Sequence, residues 1–239
     1  MLRAFLPLLF LTFSAVLHAQ PLQPFQASYT ADWKQLPFTG TAERSLRQQA
    51  DGNWELTFKA SMLVAGVSES SIFRLQDNQL QPLHYKYDRT GLGKPKKSRQ
   101  SFDWSTLQVS GKDKDGDYQL PLHAGVLDKS SYQLALQQDV AQGADSLSYI
   151  VLDGDDLDTY DFRILGDEAI ETPLGTLNTV KVERVRDPGQ NKRKTTLWFA
   201  RDWGYLLVQL NQVERDGKEY TIMLQDGRVN GQPVRGLAR

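Results

Sequence analysis

From Phe25 onward the chain alternates apolar and polar residues with a period of two. Phe25, Ala27, Tyr29, Ala31 and Trp33 are interleaved with Gln26, Ser28, Thr30 and Asp32, the pattern of a strand with one buried and one wet face. A break at Pro37 is followed by a more polar strand over 39–47. Asp51-Gly52-Asn53 then marks a tight hairpin. Beyond it Trp54, Leu56, Phe58 and Ala60 alternate with Glu55, Thr57, Lys59 and Ser61. The apolar run 62–67, with Gly66 inside it, predicts a bulge or bend in a curved sheet. Further strands are predicted at 70–75, 82–87, 99–104, 107–110 and 118–122. The turns Asp77-Asn78 and Asp113-Lys114-Asp115-Gly116 separate some of them.

One segment leaves this rhythm. Asp128 is placed to cap a helix. Tyr132, Ala135, Leu136, Asp139 and Val140 follow at three- and four-residue spacings, and Gly143 stops the run. The pattern predicts one helix near 128–141 lying on the sheet. Strands resume at 147–152 and around Tyr160, Phe162 and Ile164, with the acidic turn Asp153-Gly154-Asp155-Asp156 between them.

The most apolar part of the chain comes late. Runs at 195–200 and 205–210, joined by Asp202-Trp203-Gly204, are too continuously apolar for a half-exposed strand and predict a central hairpin. With 179–185 upstream, past the turn Asp187-Pro188-Gly189, and 220–224 downstream, they form a four-strand meander. The tail from Asn230, rich in Gly and Arg, is expected to fray. The fold class is therefore all-β and mainly antiparallel, a curved or rolled meander sheet or half-barrel with one covering helix.

Residues 1–19 carry Arg3, an apolar run and a closing Ala19, and predict a cleaved secretory leader. The rest, 20–239, is expected to be a single β-rich domain in the periplasm. The sequence has no cysteine, so neither a disulfide nor a lipid-modified cysteine is available. A formal net charge of −1 argues against a nucleic-acid partner.

Candidate chemistry is sparse. Beyond the leader, His84 and His123 have no ligand-like neighbours at useful spacing, and no Gly-x-Ser-x-Gly elbow is present. Gly91-Leu92-Gly93-Lys94 lacks the spacing of a phosphate loop, and the Asp113 turn lacks the glycine and glutamate positions of a calcium loop. Asp153, Asp155, Asp156, Asp158 and Asp161 form an acidic cluster that serves as a solvated turn, as a calcium site or as an acid/base pair. Lys94, Lys96, Lys97 and Arg99 form a basic run fit for an anionic partner, or for a solvated loop. Trp54, Phe58, Tyr85, Tyr87 and Trp104 are the aromatics placed to line a ligand-binding concavity.

Three segments carry a family resemblance: Leu127-Asp128-Lys129-Ser130-Ser131-Tyr132, Thr172-Pro173-Leu174-Gly175-Thr176, and Trp198-Phe199-Ala200 leading to Tyr205-Leu206-Leu207-Val208. With them the chain resembles the exported bacterial family called domain of unknown function 3108. The resemblance implies a rolled antiparallel sheet and a periplasmic location; it implies no known activity and supplies no catalytic residues, and no cofactor is expected. More distantly, the predicted fold is similar to periplasmic lipoprotein carriers, a likeness of fold and not of function. Three readings remain: a non-enzymatic binder of a hydrophobic or amphiphilic ligand or envelope component, a scaffold recognising an envelope protein, and a hydrolase built near Asp155.

Overall fold

The computed structural model describes residues 22–35, 38–63, 65–91, 95–113, 115–186 and 193–237. The predicted leader, Pro37, Lys94, Lys114 and the turn Asp187-Pro188-Gly189 lie outside them. In the first half the strands are β1 (Phe25–Trp33), β2 (Thr39–Gln48), β3 (Trp54–Met62), β4 (Ala65–Gln76), β5 (Gln79–Thr90), β6 (Lys96–Asp103), β7 (Gln108–Asp113) and β8 (Gly116–Pro121). The second half holds β9 (Val126–Asp128), helix α1 (Ser131–Gln142), β10 (Leu147–Asp153), β11 (Asp156–Thr172), β12 (Gly175–Val185), β13 (Lys194–Ala200), β14 (Leu206–Val213), β15 (Glu219–Val229) and β16 (Gln232–Pro233).

All of these strands join one sheet in the order β8-β7-β6-β5-β4-β3-β2-β1-β15-β14-β13-β12-β11-β10-β9, with β16 beside β15. Two meanders thus meet where β1 pairs with β15, Tyr29 opposite Leu224. The ladder is antiparallel except between β9 and β10, and β8 and β9 remain unpaired with each other at its two ends. Register shifts at Ser28/Tyr29, Ile72/Phe73, Ile164/Gly166 and Trp198/Phe199 bend the ladder. The sheet rolls far enough for β9 and β10 to reach the opposite arm. There Tyr85, Phe102, Val109, Leu122, Val126 and Leu152 form a second core beside the main one, and Gln100 donates to the Gly154 carbonyl at 3.1 Å.

The predicted central hairpin holds. β13 buries every residue from Thr195 to Ala200. Its outward Trp198 is covered by Lys181, whose Nζ lies 5.0 Å from the ring centroid, and its Nε1 donates to Glu168 at 3.1 Å.

Three expectations are corrected. The chain reverses directly after β3, with Met62 opposite Ala65, and Gly66 pairs regularly within β4. Leu63 takes the positive φ of that turn, 49°, so the hairpin reverses before the glycine. Asp128 ends β9 and does not occupy the N-cap position, which belongs to Ser130. The carboxylate still caps the helix from two residues upstream: Oδ1 accepts the Ser130 and Ser131 amides at 2.8 and 2.7 Å. The tail is also pinned down. Val234 is buried, and its amide donates to Gly227 at 2.8 Å. Gly236 and Leu237 bond to Leu174 and Thr176 at 2.8 and 2.9 Å, across the β11–β12 turn.

Asp128 also holds the two arms together, since its Oδ2 accepts the Ser71 hydroxyl of β4 at 2.5 Å. Beside it Tyr85 donates to Glu69 at 2.5 Å, and Lys129 bonds Asp153 at 2.7 Å. Burial pushes the Asp128 carboxyl up to about 6, outweighing its hydrogen bonds with Ser71, Ser131 and Ser130.

Two outcomes follow. A Cβ at Gly236 would lie 2.5 Å from the Gly175 carbonyl carbon and 2.6 Å from the Thr176 oxygen. Gly236→Ala is therefore expected to lower stability by about 1–3 kcal/mol in urea unfolding; an unchanged midpoint would show that the tail contact contributes nothing. Asp128 binds its proton more tightly folded than unfolded. Its contribution is full below pH 4 and is lost as pH rises through 6, so stability rises on acidification from pH 7 to 5. Urea midpoints at the two pH values should converge in Asp128→Asn, with Glu69, also raised by burial, supplying the remaining slope.

Candidate functional site

Residues directly opposite one another in an antiparallel ladder share a face, so the register defines the concave surface row by row. One row runs Phe25, Leu46, Leu56, Ser71, Tyr85 and Gln100, and it lies towards α1. Leu134 and Gln137 of the helix share a small cavity of about 30 Å³ with Phe25, Leu46, Leu206 and Val229, and Gln137 donates to the Gly204 carbonyl at 2.8 Å. Trp33 lies eight residues along β1 from Phe25, about 27 Å at the rise of a strand. At that far end the concave face is open.

The opening is a pocket of about 400 Å³ lined by Ala31, Asp32, Trp33, Ala60, Ser61, Met62, Ala65, Gly66, Val67, Arg89, Thr90, Tyr220, Thr221 and Ile222. The sequence makes it by placing small residues inward. Ala31 pairs with Gly40, and Ala42 pairs with Ala60, which pairs with Val67. Gly40 has no room for a side chain: a Cβ would lie 2.6 Å from the Ser61 oxygen. Trp33 and Tyr220 close one side with ring centroids 4.8 Å apart, and the buried Trp33 Nε1 has no hydrogen-bond partner. The volume is within the roughly 300–1,000 Å³ of small-molecule sites.

Strand alternation divides the basic run. Lys97 and Arg99 point outward and meet Asp88, at 4.0 and 2.6 Å. Arg99 also donates to the carbonyls of Tyr87 and Ser98 at 2.9 and 2.8 Å. Lys96 has the opposite phase and sits on the concave face directly opposite Arg89, which lines the pocket. Lys94 lies outside the described residues.

Deeper along the same face is a charged row. Arg44 is 4% exposed, its guanidinium lies 5.2 Å from the Phe25 ring centroid, and its Nη2 has no hydrogen-bond partner. Burial lowers its pKa, and burial raises that of Glu69 against the pull of Tyr85, Lys129 and Arg44. From the other arm Arg184 stacks on Tyr160 at 3.3 Å, and Arg186 donates to Thr195 at 3.1 Å. Burial, then Arg184 and Arg193, bring Arg186 down to about 10. Tyr132 of α1 packs edge-on to Tyr160 between these groups.

The five aromatics expected to bind ligand are separated by the fold. Trp54 and Tyr85, 8% and 2% exposed, belong to the main and the second core. Trp104 packs on the second core and donates Nε1 to the Pro82 carbonyl at 2.6 Å. Phe58 and Tyr87 are half-buried on the concave face, two residues inward of Ala60 and Arg89. The acidic cluster does not converge: Asp153 pairs with Lys129, Asp158 lies 3.6 Å from Arg184, and Asp161 accepts from Ser148 at 2.6 Å. His84 approaches Ser101 at 3.4 Å, and His123 is exposed. Among the described residues no three His, Cys, Asp or Glu side chains are grouped to hold a metal, and no helix is long and apolar enough to cross a membrane. The pocket was missed because its signal is small residues at inward positions; the phase set by Tyr85 and Tyr87 also turns Arg89 inward.

Among solved structures the chain is similar to a β-barrel-like protein of domain of unknown function DUF1849 from Brucella abortus. The TM-score is 0.57 at 10% identity, covering 87% of this chain and 98% of that one. This likeness is one of fold. MucB aligns with a TM-score of 0.36 at 12% identity over 90% of this chain and 56% of its own. The Pseudomonas aeruginosa MucA/MucB complex aligns at 0.17 and 11%, over 90% and 94%. Neither supports an argument. A search of curated proteins found no match. The family described as "Protein of unknown function (DUF3108)" matches residues 28–225, and the chain belongs to it.

Proposed function

We propose that this protein is a non-enzymatic binder that holds the apolar part of an amphiphile in the pocket at the open end of its concave face. The reading includes export through a leader over residues 1–19 and action in the periplasm. The observation that carries it is the pocket of about 400 Å³ floored by Ala31, Ala60 and Ala65, at the end of the sheet that α1 leaves uncovered. Trp33, Met62, Val67, Tyr220 and Ile222 supply apolar walls, and burying an alkyl chain against them is favourable by about 25 cal/mol per Å² of apolar surface removed from water. Phe58 and Tyr87, next inward, extend the same surface.

Native mass spectrometry of protein purified from its own envelope, followed by organic extraction, tests this. A stoichiometric adduct that extracts as an amphiphile is expected. Ala60→Trp, which fills the floor, should remove the adduct while leaving the far-ultraviolet circular dichroism unchanged. A clean apo mass from the unaltered protein would sink the ligand reading and direct attention to a protein partner on the sheet surface.

A further inference from the structure

Deeper than the end pocket, the rolled sheet holds buried hydrogen-bond donors that its own acceptors leave unmet. The inward positions of β2 run Gly40, Ala42, Arg44 and Leu46, so Arg44 lies one position deeper than Ala42, the direct partner of the pocket residue Ala60. Its guanidinium is buried against the Phe25 ring, and Nη2 has no hydrogen-bond partner. Glu69 does not supply one. Phe58 stands between the two in the row, which sets them two strands, about 10 Å, apart, and Glu69 accepts from Tyr85 instead. On the opposite arm Arg184 stacks on Tyr160. Its Nη2 lies 3.6 Å from Asp158, while its buried Nε has no partner. Tyr132 of α1 packs on Tyr160 and Phe162, and both arginines act through space on its hydroxyl. Phe58, Glu69 and Tyr87 face this interior yet are only half-buried, so it is not packed shut.

A guanidinium offers N–H groups in a rigid planar fork, which matches an acceptor carrying several oxygens. We infer that Arg44 and Arg184 together bind an oxyanion, a phosphate or carboxylate group, in the interior of the rolled sheet. As the head of an amphiphile, which rests on the pocket reading, the group lies inward and its chain runs past Ala42 to the open end. Burial away from water strengthens its charge-assisted bonds to both arginines, and each buried donor gains the acceptor it lacks.

Isothermal titration of the delipidated protein with decyl phosphate, decan-1-ol and inorganic phosphate tests the site. Decyl phosphate is expected to bind at least ~10-fold more tightly than the alcohol. Arg44→Met should remove that advantage and leave the alcohol's affinity unchanged. It should also melt no lower than the unaltered protein, because an apolar side chain replaces a buried charge, and this separates lost recognition from misfolding. Arg184→Gln should weaken the phosphate in the same direction, and it carries the test where Arg44→Met does not fold. Inorganic phosphate binding as tightly as decyl phosphate would support the oxyanion site and identify a free anion as its occupant. An advantage that survives both substitutions would overturn the assignment to these arginines. Equal affinity for decyl phosphate and the alcohol, with no inorganic phosphate bound, would overturn the site and leave the pocket reading intact. No binding by any of the three would overturn both.

Discussion

A rolled sheet has more concave surface than a short helix can cover, and the rest of this structure depends on that mismatch. α1 has 12 residues and is about 18 Å long, whereas the nine-residue β1 extends about 30 Å. The helix therefore fills one end of the concavity and leaves the other. Which end is filled is decided by the Asp128 carboxylate, which grips the helix N-terminus and Ser71 of the opposite arm at once. Leu134, Leu136 and Val140 then complete the packed end. At the other end the inward positions are occupied by alanine and glycine, and space remains.

Between the two ends the interior is charged, contrary to what stability alone favours. Arg44, Glu69 and Asp128 sit within or beside the core, and burial disfavours the ionised form of each. Sequences that break a local rule of this kind usually do so where the molecule works. On the proposed reading, the charged row beside the pocket gives an amphiphile apolar and polar surface to meet in succession.

Much of the fold was legible because period-two alternation is a local signal. β1 and β3 follow from Phe25–Trp33 and Trp54–Ala60 almost residue by residue. Strand order across the chain is not local: nothing in the sequence of β1 says that β15 is its partner. β9 has three residues, too few to show a period, and its parallel pairing is set by the helix between it and β10. The tail looks polar and glycine-rich, yet Gly236 is there because nothing larger fits against Gly175. Of the site, the basic run was visible as composition, but its division into an outward Lys97 and Arg99 and an inward Lys96 depends on pairing register. The aromatic residues were overweighted, since in this sheet bulk closes the core and smallness opens the pocket.

The seam between β1 and β15 has a consequence for how the molecule comes into being. Tyr29 and Leu224 face each other from strands far apart in the sequence, so β1 waits for β15 to be made. Each meander can form from near neighbours, but joining them requires a very long loop closure, which is entropically slow. Until it happens both strands present bare hydrogen-bonding edges, the surfaces from which β proteins aggregate. Losing the last thirty or so residues would therefore do more than trim an end: it would open the sheet at its middle.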